Sequence, residues 1–208
     1  MHPNPAFRKE ETARNIRFAR ERAFGTLAVN GEDGPLTSHI PFLLDETGAE
    51  AELHLVRSNP IARLGAPAKA VISVMGPDSY ISPDWYGVPD QVPTWNYVSV
   101  RLRGVLHPMP HGNLHQMLDR LSAHFETLLL PKTPWTSEKM SDGVMEKMMR
   151  AILPFRFEVT GIEGTWKLNQ NKPDDVRHAA ADHVAAYGQG MELAMLAGLM
   201  HGADPKET

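Results

Sequence analysis

The sequence predicts a mainly β chain with helices, an α+β fold built on a closed or split antiparallel barrel. Some six or seven short segments carry the two-residue period of half-buried strands. Gly and Pro punctuate those segments, and helical stretches do not alternate with them, so a doubly wound parallel sheet fits poorly.

Residues 7–24 read as an amphipathic helix, with Ala13, Ile16, Ala19 and Ala23 at helical spacing and Gly25 placed to end it. Strand segments follow at Leu27 and Val29, Leu36 to Leu44, Leu53 and Leu55, and Lys69 to Met75, bounded by Gly31, Gly34, Gly48, Pro60 and Pro67. In the second of these, Ile40, Phe42 and Leu44 alternate with Thr37, His39 and Leu43. A loop rich in Pro and Gly is expected from Gly76 to Pro93, then a strand with Val98, Val100 and Leu102 on one face and Ser99, Arg101 and Arg103 on the other. Helical spacing returns over residues 111–130, through Leu114, Met117, Leu118, Leu121, Phe125 and Leu128. A second helix is expected from Ser141 to Ile152, with Val144, Met148 and Ile152 inward, before Phe155, Phe157 and Val159 alternate as a strand. A last helix starts at Pro173, with Asp174 and Asp175 favourable to its dipole, and Gly188 and Gly190 break it before a second piece. The whole is expected to be one domain, 1–208, with an N-terminal helix and a C-terminal helical tail.

Composition narrows the chemistry. The 208 residues are 42% apolar and carry a net charge of -4, and no Cys is present, which removes disulfides, thiolate nucleophiles, Cys-ligated zinc and iron–sulfur clusters. No apolar run approaches the roughly 20 residues of a membrane helix, and the opening MHPNPAFRKEE lacks a signal-peptide stretch, so a soluble, cytoplasmic protein with no membrane association is expected. The acidic balance makes direct DNA binding doubtful, because clustered Lys and Arg supply most of that affinity. The most basic stretch, residues 8–22, is interrupted by Glu10, Glu11 and Glu21 and reads as a solvated helix face. There is no GxSxG, HExxH, P-loop or GxGxxG pattern, and prolines separate His107 from His111, so no metal site is expected.

Three segments crowd polar and aromatic residues at strand ends. LHLVRSNP places Arg57, Ser58 and Asn59 directly after a strand, where they could hold a phosphate or simply form a β-turn. SYISPDWYGVPDQVPTWNY carries Tyr80, Trp85, Tyr86, Trp95 and Tyr97, which suits a planar ligand, an aromatic-pinned loop or an oligomer interface. GTWKLNQNKPDD sets Lys167, Gln170, Asn171 and Lys172 between a strand and a helix, within reach of an anionic ligand or as solvated lysines. Together they point to a phosphate-bearing aromatic ligand.

The motifs VPTWNY at 92–97, YISPDWY at 80–86, LVRSNP at 55–60 and KLNQNKP at 167–173 resemble the PaiB-type family of FMN-binding proteins, known as negative transcriptional regulators. The resemblance spans nearly the whole chain. It implies a split β-barrel of the pyridoxamine-phosphate-oxidase and flavin-reductase type, a homodimer, and FMN at the subunit interface. By resemblance, Ser38, His39, Ile40 and Pro41 run along the flavin, while Val56, Arg57, Ser58 and Asn59 address its phosphate and ribityl groups. Tyr80, Ser82, Trp85, Thr94 and Asn96 fall in the signature loop, and Lys167, Gln170 and Lys172 in the C-terminal motif. The chain departs from the pattern in its linker GVPDQ and at Asn169, where Ser is expected. Three functions remain open: an FMN-binding regulator acting on a protein or metabolite partner, an FMN-dependent oxidoreductase, and a haem-binding or haem-degrading split barrel that would draw on His178, His183 or His201.

Overall fold

The computed structural model describes residues 2–65 and 67–202, so the ends of the expected 1–208 domain lie outside the described residues. In chain order the helices are α1 (Thr12–Arg22), α2 (Pro60–Arg63), α3 (Leu114–Thr127), α4 (Val144–Met149), α5 (Asp174–Tyr187) and α6 (Leu193–His201). The strands are β1 (Phe24–Gly31), β2 (Gly34–Leu44), β3 (Glu50–Val56), β4 (Ala68–Ile81), β5 (Thr94–Pro108), β6 (Ile152–Lys167) and β7 (Gly190–Met191). They form one sheet in the order β1-β2-β3-β6-β5-β4-β7, and β1 also pairs with β4, which closes the first six into a ring. The split β-barrel expected from the sequence is therefore the fold. No helix among the described residues is long and apolar enough to cross a membrane.

The described residues group into two compact units. The barrel unit comprises Ile16–Val74 and Arg101–Ile162. Its hairpin β1–β2 is in register from Phe24↔Pro41 to Gly31↔Gly34, and β3 pairs with β6 from Glu50↔Glu158 to Val56↔Ile152, both antiparallel. Closure comes from Thr26↔Ser73 to Val29↔Ala70. Alternation sends Leu27, Val29, Ile40, Phe42, Leu53, Leu55, Ile72, Val74, Leu102 and Phe157 into the core, each contributing about 1.5–3 kcal/mol by leaving water. Helix α3 buries Leu114, Met117 and Leu121, and its Arg120 grips Glu52 of β3 with two nitrogens at 2.7–3.0 Å.

The helical unit comprises the described residues of Met1–Asn15, Met75–Val100 and Glu163–Thr208. Helices α5 and α6 pack together through Val176, Ala180, Ala181 and Val184 on one and Leu196, Ala197, Leu199 and Met200 on the other. The 3₁₀ turn Pro83–Tyr86 packs on α5. Trp166, at the end of β6, is fully buried.

Several boundaries differ from the sequence reading. The N-terminal helix occupies Thr12–Arg22 and Pro5–Phe7 form a separate 3₁₀ turn, capped by the Asn4 side chain. Ala23, at φ 46°, ends the helix rather than Gly25. Gly25 instead serves β1, where a Cβ would lie 2.8 Å from the Ser73 carbonyl oxygen. The expected loop at Gly76–Pro93 is shorter, because β4 continues to Ile81 with Asp78 and Ser79 paired to Met191 and Gly190. The expected helix Ser141–Ile152 shrinks to Val144–Met149. Its Val144 and Met148 are 40% and 61% exposed, not inward, and Ile152 pairs with Val56 in the sheet. The 111–130 helix likewise runs only from Leu114 to Thr127, and Leu128 is exposed.

Candidate functional site

The sequence-predicted residues fall into two groups, one in each unit. In the barrel unit, Ser38 to Pro41 lie on β2 and Val56 ends β3. Alternation buries Ile40 and leaves His39 outside, where its Nδ1 lies 3.1 Å from Thr26 Oγ1. The turn after β3 is held by main chain: the Arg57 N–H donates to the Ala151 carbonyl at 2.9 Å, and the Asn59 N–H to that of Val56 at 2.9 Å. Asn59 is committed at both ends of its amide. Its Nδ2 donates to Ser38 Oγ at 3.0 Å and its Oδ1 caps the N–H of Ile61 at 2.9 Å. Asn59 thus ties the turn to β2, and brings Ser38 to the same place as the turn.

Arg57 Nε donates to the Arg150 carbonyl at 2.6 Å, which fixes the plane of an exposed guanidinium. Its two terminal nitrogens have no partner among the described residues. A guanidinium held by Nε with its fork uncommitted suits a phosphate, and the Ser58 hydroxyl beside it is exposed.

In the helical unit, Lys167 at the end of β6 donates to Thr94 Oγ1 and to the Trp95 carbonyl, the latter at 2.7 Å. Burial lowers its pKa below the usual lysine range. Lys172 donates to Gln91 Oε1 and stands 4.2 Å over the Tyr86 ring. The turn between the two lysines is shaped by Gln170: its Oε1 accepts the Leu168 N–H at 2.8 Å, and its Nε2 donates to the Trp166 carbonyl at 2.5 Å. Its Nε2 also donates to the Ala6 carbonyl at 3.4 Å, so Gln170 is spent on backbone and has little left for a ligand. Asn169, at φ 62°, takes the left-handed conformation that Asn tolerates better than Ser.

The aromatic residues separate by role. Tyr86 is buried, Trp85 stacks on His183 at 5.7 Å, and Tyr80 meets Trp95 edge to face at 6.3 Å with both exposed. Ser82 precedes the 3₁₀ turn and caps it with no side-chain hydrogen bond. Asn96 is fully buried; its Nδ2 donates to Met200 Sδ at 3.4 Å and its Oδ1 has no partner. Burial raises the Tyr86 hydroxyl above its usual pKa, an effect the nearby Asn169 side chain partly offsets without closing a hydrogen bond of normal geometry. Sequence reading named Tyr86 in the aromatic segment but gave Asn169 no part in a site. The signal available was Asn in place of the expected Ser, beside two lysines.

Residues 1–161 match the model of the family described as "Putative FMN-binding domain". "Protease synthase and sporulation protein PAI 2" of Bacillus subtilis is 28% identical over 176 residues, 81% of this chain and 82% of that protein. Among solved structures, the FAD and heme binding protein from Mycobacterium smegmatis has a TM-score of 0.56 at 20% identity, covering 88% of this chain and 82% of that one. The flavocytochrome Anf3 from Azotobacter vinelandii has a TM-score of 0.53 at 11% identity, covering 84% and 77%. At these identities the two structures share the fold alone.

Proposed function

Since the chain belongs to this FMN-binding domain family, we propose that it is a cytoplasmic, PaiB-like regulator in which FMN controls an interaction with a protein or metabolite partner. FMN is its cofactor. The observation that carries the placement of FMN is the Arg57 turn: a guanidinium pinned at Nε with its fork free matches a terminal phosphate. Considered by itself, the helical unit presents the exposed aromatic pair Tyr80 and Trp95, with Thr94 and Lys167 beside Trp95. Bound FMN would supply hydride and electron transfer at its ring, while the chain binds and orients it.

Regulation draws its support from the likeness to the Bacillus subtilis protein, whose name refers to protease synthesis and sporulation. A charge of -4 opposes direct, sequence-specific DNA contact. The alternative, an FMN-dependent oxidoreductase, is favoured by the same exposed aromatic pair, which a planar reactant could approach.

Absorbance spectra taken with FMN, NADPH and hemin separate the readings. A shifted flavin band that NADPH does not bleach supports the regulator, bleaching supports the oxidoreductase, and a Soret band supports haem binding. Arg57→Ala should weaken FMN by roughly 10- to 100-fold, the equivalent of one charge-assisted hydrogen bond of about 1.5–3 kcal/mol. Riboflavin, which lacks the phosphate, should lose little; equal losses for both ligands would remove Arg57 from the phosphate site. Fluorescence anisotropy with promoter DNA at about 150 mM salt, where exposed charges are screened beyond roughly 8 Å, should give weak, sequence-blind binding. Tight, discriminating binding would restore direct repression.

A further inference from the structure

We propose that helix α4 is the element whose order reports FMN occupancy, a device that rests on the reading of Arg57 as the FMN phosphate contact. Every residue it needs lies in the barrel unit. Arg57 reaches the end of α4 twice: its Nε donates to the Arg150 carbonyl at 2.6 Å, and its main-chain N–H to the Ala151 carbonyl at 2.9 Å. His111 Nε2 lies 3.1 Å from the Met149 carbonyl and acts there as the donor. Carbonyls at a helix C-terminus lack intrahelical partners and carry partial negative charge, so a guanidinium and an imidazole suit them.

Little else holds α4 in place. None of its residues is buried, Val144 and Met148 are largely exposed, and Gly143 leads into it at φ 74° without a side-chain cap. Its 6 residues fall well short of the roughly 12–15 that an isolated helix needs. A segment with few buried contacts sits at the low end of local stability, where a change in one tie alters how often it opens. Arg57 is such a tie, and it is itself exposed. A free guanidinium visits several rotamers and keeps its Nε bond only in some of them. The two terminal nitrogens have no partner among the described residues, and a phosphate seated on them selects the rotamer that also bonds the Arg150 carbonyl. One cation then bridges an anion and a helix end. Riboflavin, without a phosphate, leaves the guanidinium as it was. By thermodynamic reciprocity, whatever holds α4 in its ordered form tightens FMN by the same factor.

The test is deuterium exchange of the full-length chain, followed in peptides covering 144–151, without flavin and with saturating FMN or riboflavin. Flavin affinities are read separately by flavin fluorescence. FMN should slow exchange in these peptides at least about threefold, and riboflavin should leave it unchanged. Arg57→Lys keeps a charge for the phosphate but has one nitrogen in place of the rigid fork, so saturating FMN should no longer protect α4. His111→Ala removes the other side-chain tie and lies outside the residues assigned to the flavin. It should quicken exchange in α4 and weaken FMN severalfold, with riboflavin affinity unchanged. Four results would overturn the proposal while leaving flavin binding intact: equal protection by FMN and riboflavin, protection that survives Arg57→Lys, FMN binding with no change over 144–151, and full FMN affinity in a His111→Ala chain whose α4 exchanges faster. Failure of FMN to bind at all would instead remove the flavin reading, and this inference with it.

Discussion

Trp166 donates its indole N–H to Asn15 Oδ1 at 2.8 Å, and Arg14 lies 4.2 Å over its ring. Both Trp166 and Asn15 are buried, and a Cβ on Gly164 would fall 2.0 Å from Asn15 Oδ1, so the amide has one place to sit. Asn15→Ala strands the indole donor and should cost about 1–3 kcal/mol, seen as a lower urea midpoint with unchanged slope. His54, on β3, has a buried Nδ1 without a partner, and burial lowers its pKa below 6.5. A lowered histidine pKa means that the unfolded chain takes up a proton before the native state does. Stability is therefore full above about pH 6.5 and falls as the pH drops from there towards the native-state pKa. His54→Gln should flatten the decline in urea midpoint between about pH 7.5 and 5.5; an equally steep decline would assign the acid sensitivity elsewhere.

The elements of the barrel are fixed by approach as much as by pattern. A Cβ on Gly104 of β5 would lie 2.0 Å from the Glu158 carbonyl oxygen, so the two backbones meet there only because position 104 is glycine. Helix α4 shows the opposite situation. Its sequence has helical apolar spacing, yet Val144 and Met148 face solvent and the helix is one and a half turns long. Met148→Ser should change stability by no more than about 0.5 kcal/mol, whereas Met117→Ala on α3, where the side chain is 1% exposed, should cost about 2–5 kcal/mol. Thermal or urea unfolding of the pair distinguishes a packed helix from a surface one.

For the whole molecule, each unit carries apolar side chains on its surface: Phe24, Val56 and Leu64 on the barrel unit, and Val92, Trp95 and Met191 on the helical unit. Apolar groups of this size held in solution favour self-association through a closed twofold contact. Light scattering at micromolar concentration should therefore give twice the chain mass of 23.1 kDa. A mass equal to one chain would show that these side chains remain in water and that the site belongs to a single chain.

The sequence by itself determined the barrel class, because period-two alternation in β2, β5 and β6 is a local consequence of strand geometry that survives in any context. It also determined the three segments that hold the candidate residues, since Arg57, Trp95 and Lys167 stand in motifs with a distinctive composition. Tertiary structure decided what each side chain does. Asn59 ties to Ser38 across 21 positions, Gln170 turns back on its own backbone, and Tyr86 and Asn169, 83 positions apart, are buried side by side. The far end of β4 was likewise settled by pairing with β7, more than 100 residues away. Local spacing records the period of a segment and carries no information about which distant segment completes its hydrogen bonds, so register, closure and polar partners appear only once the chain has folded.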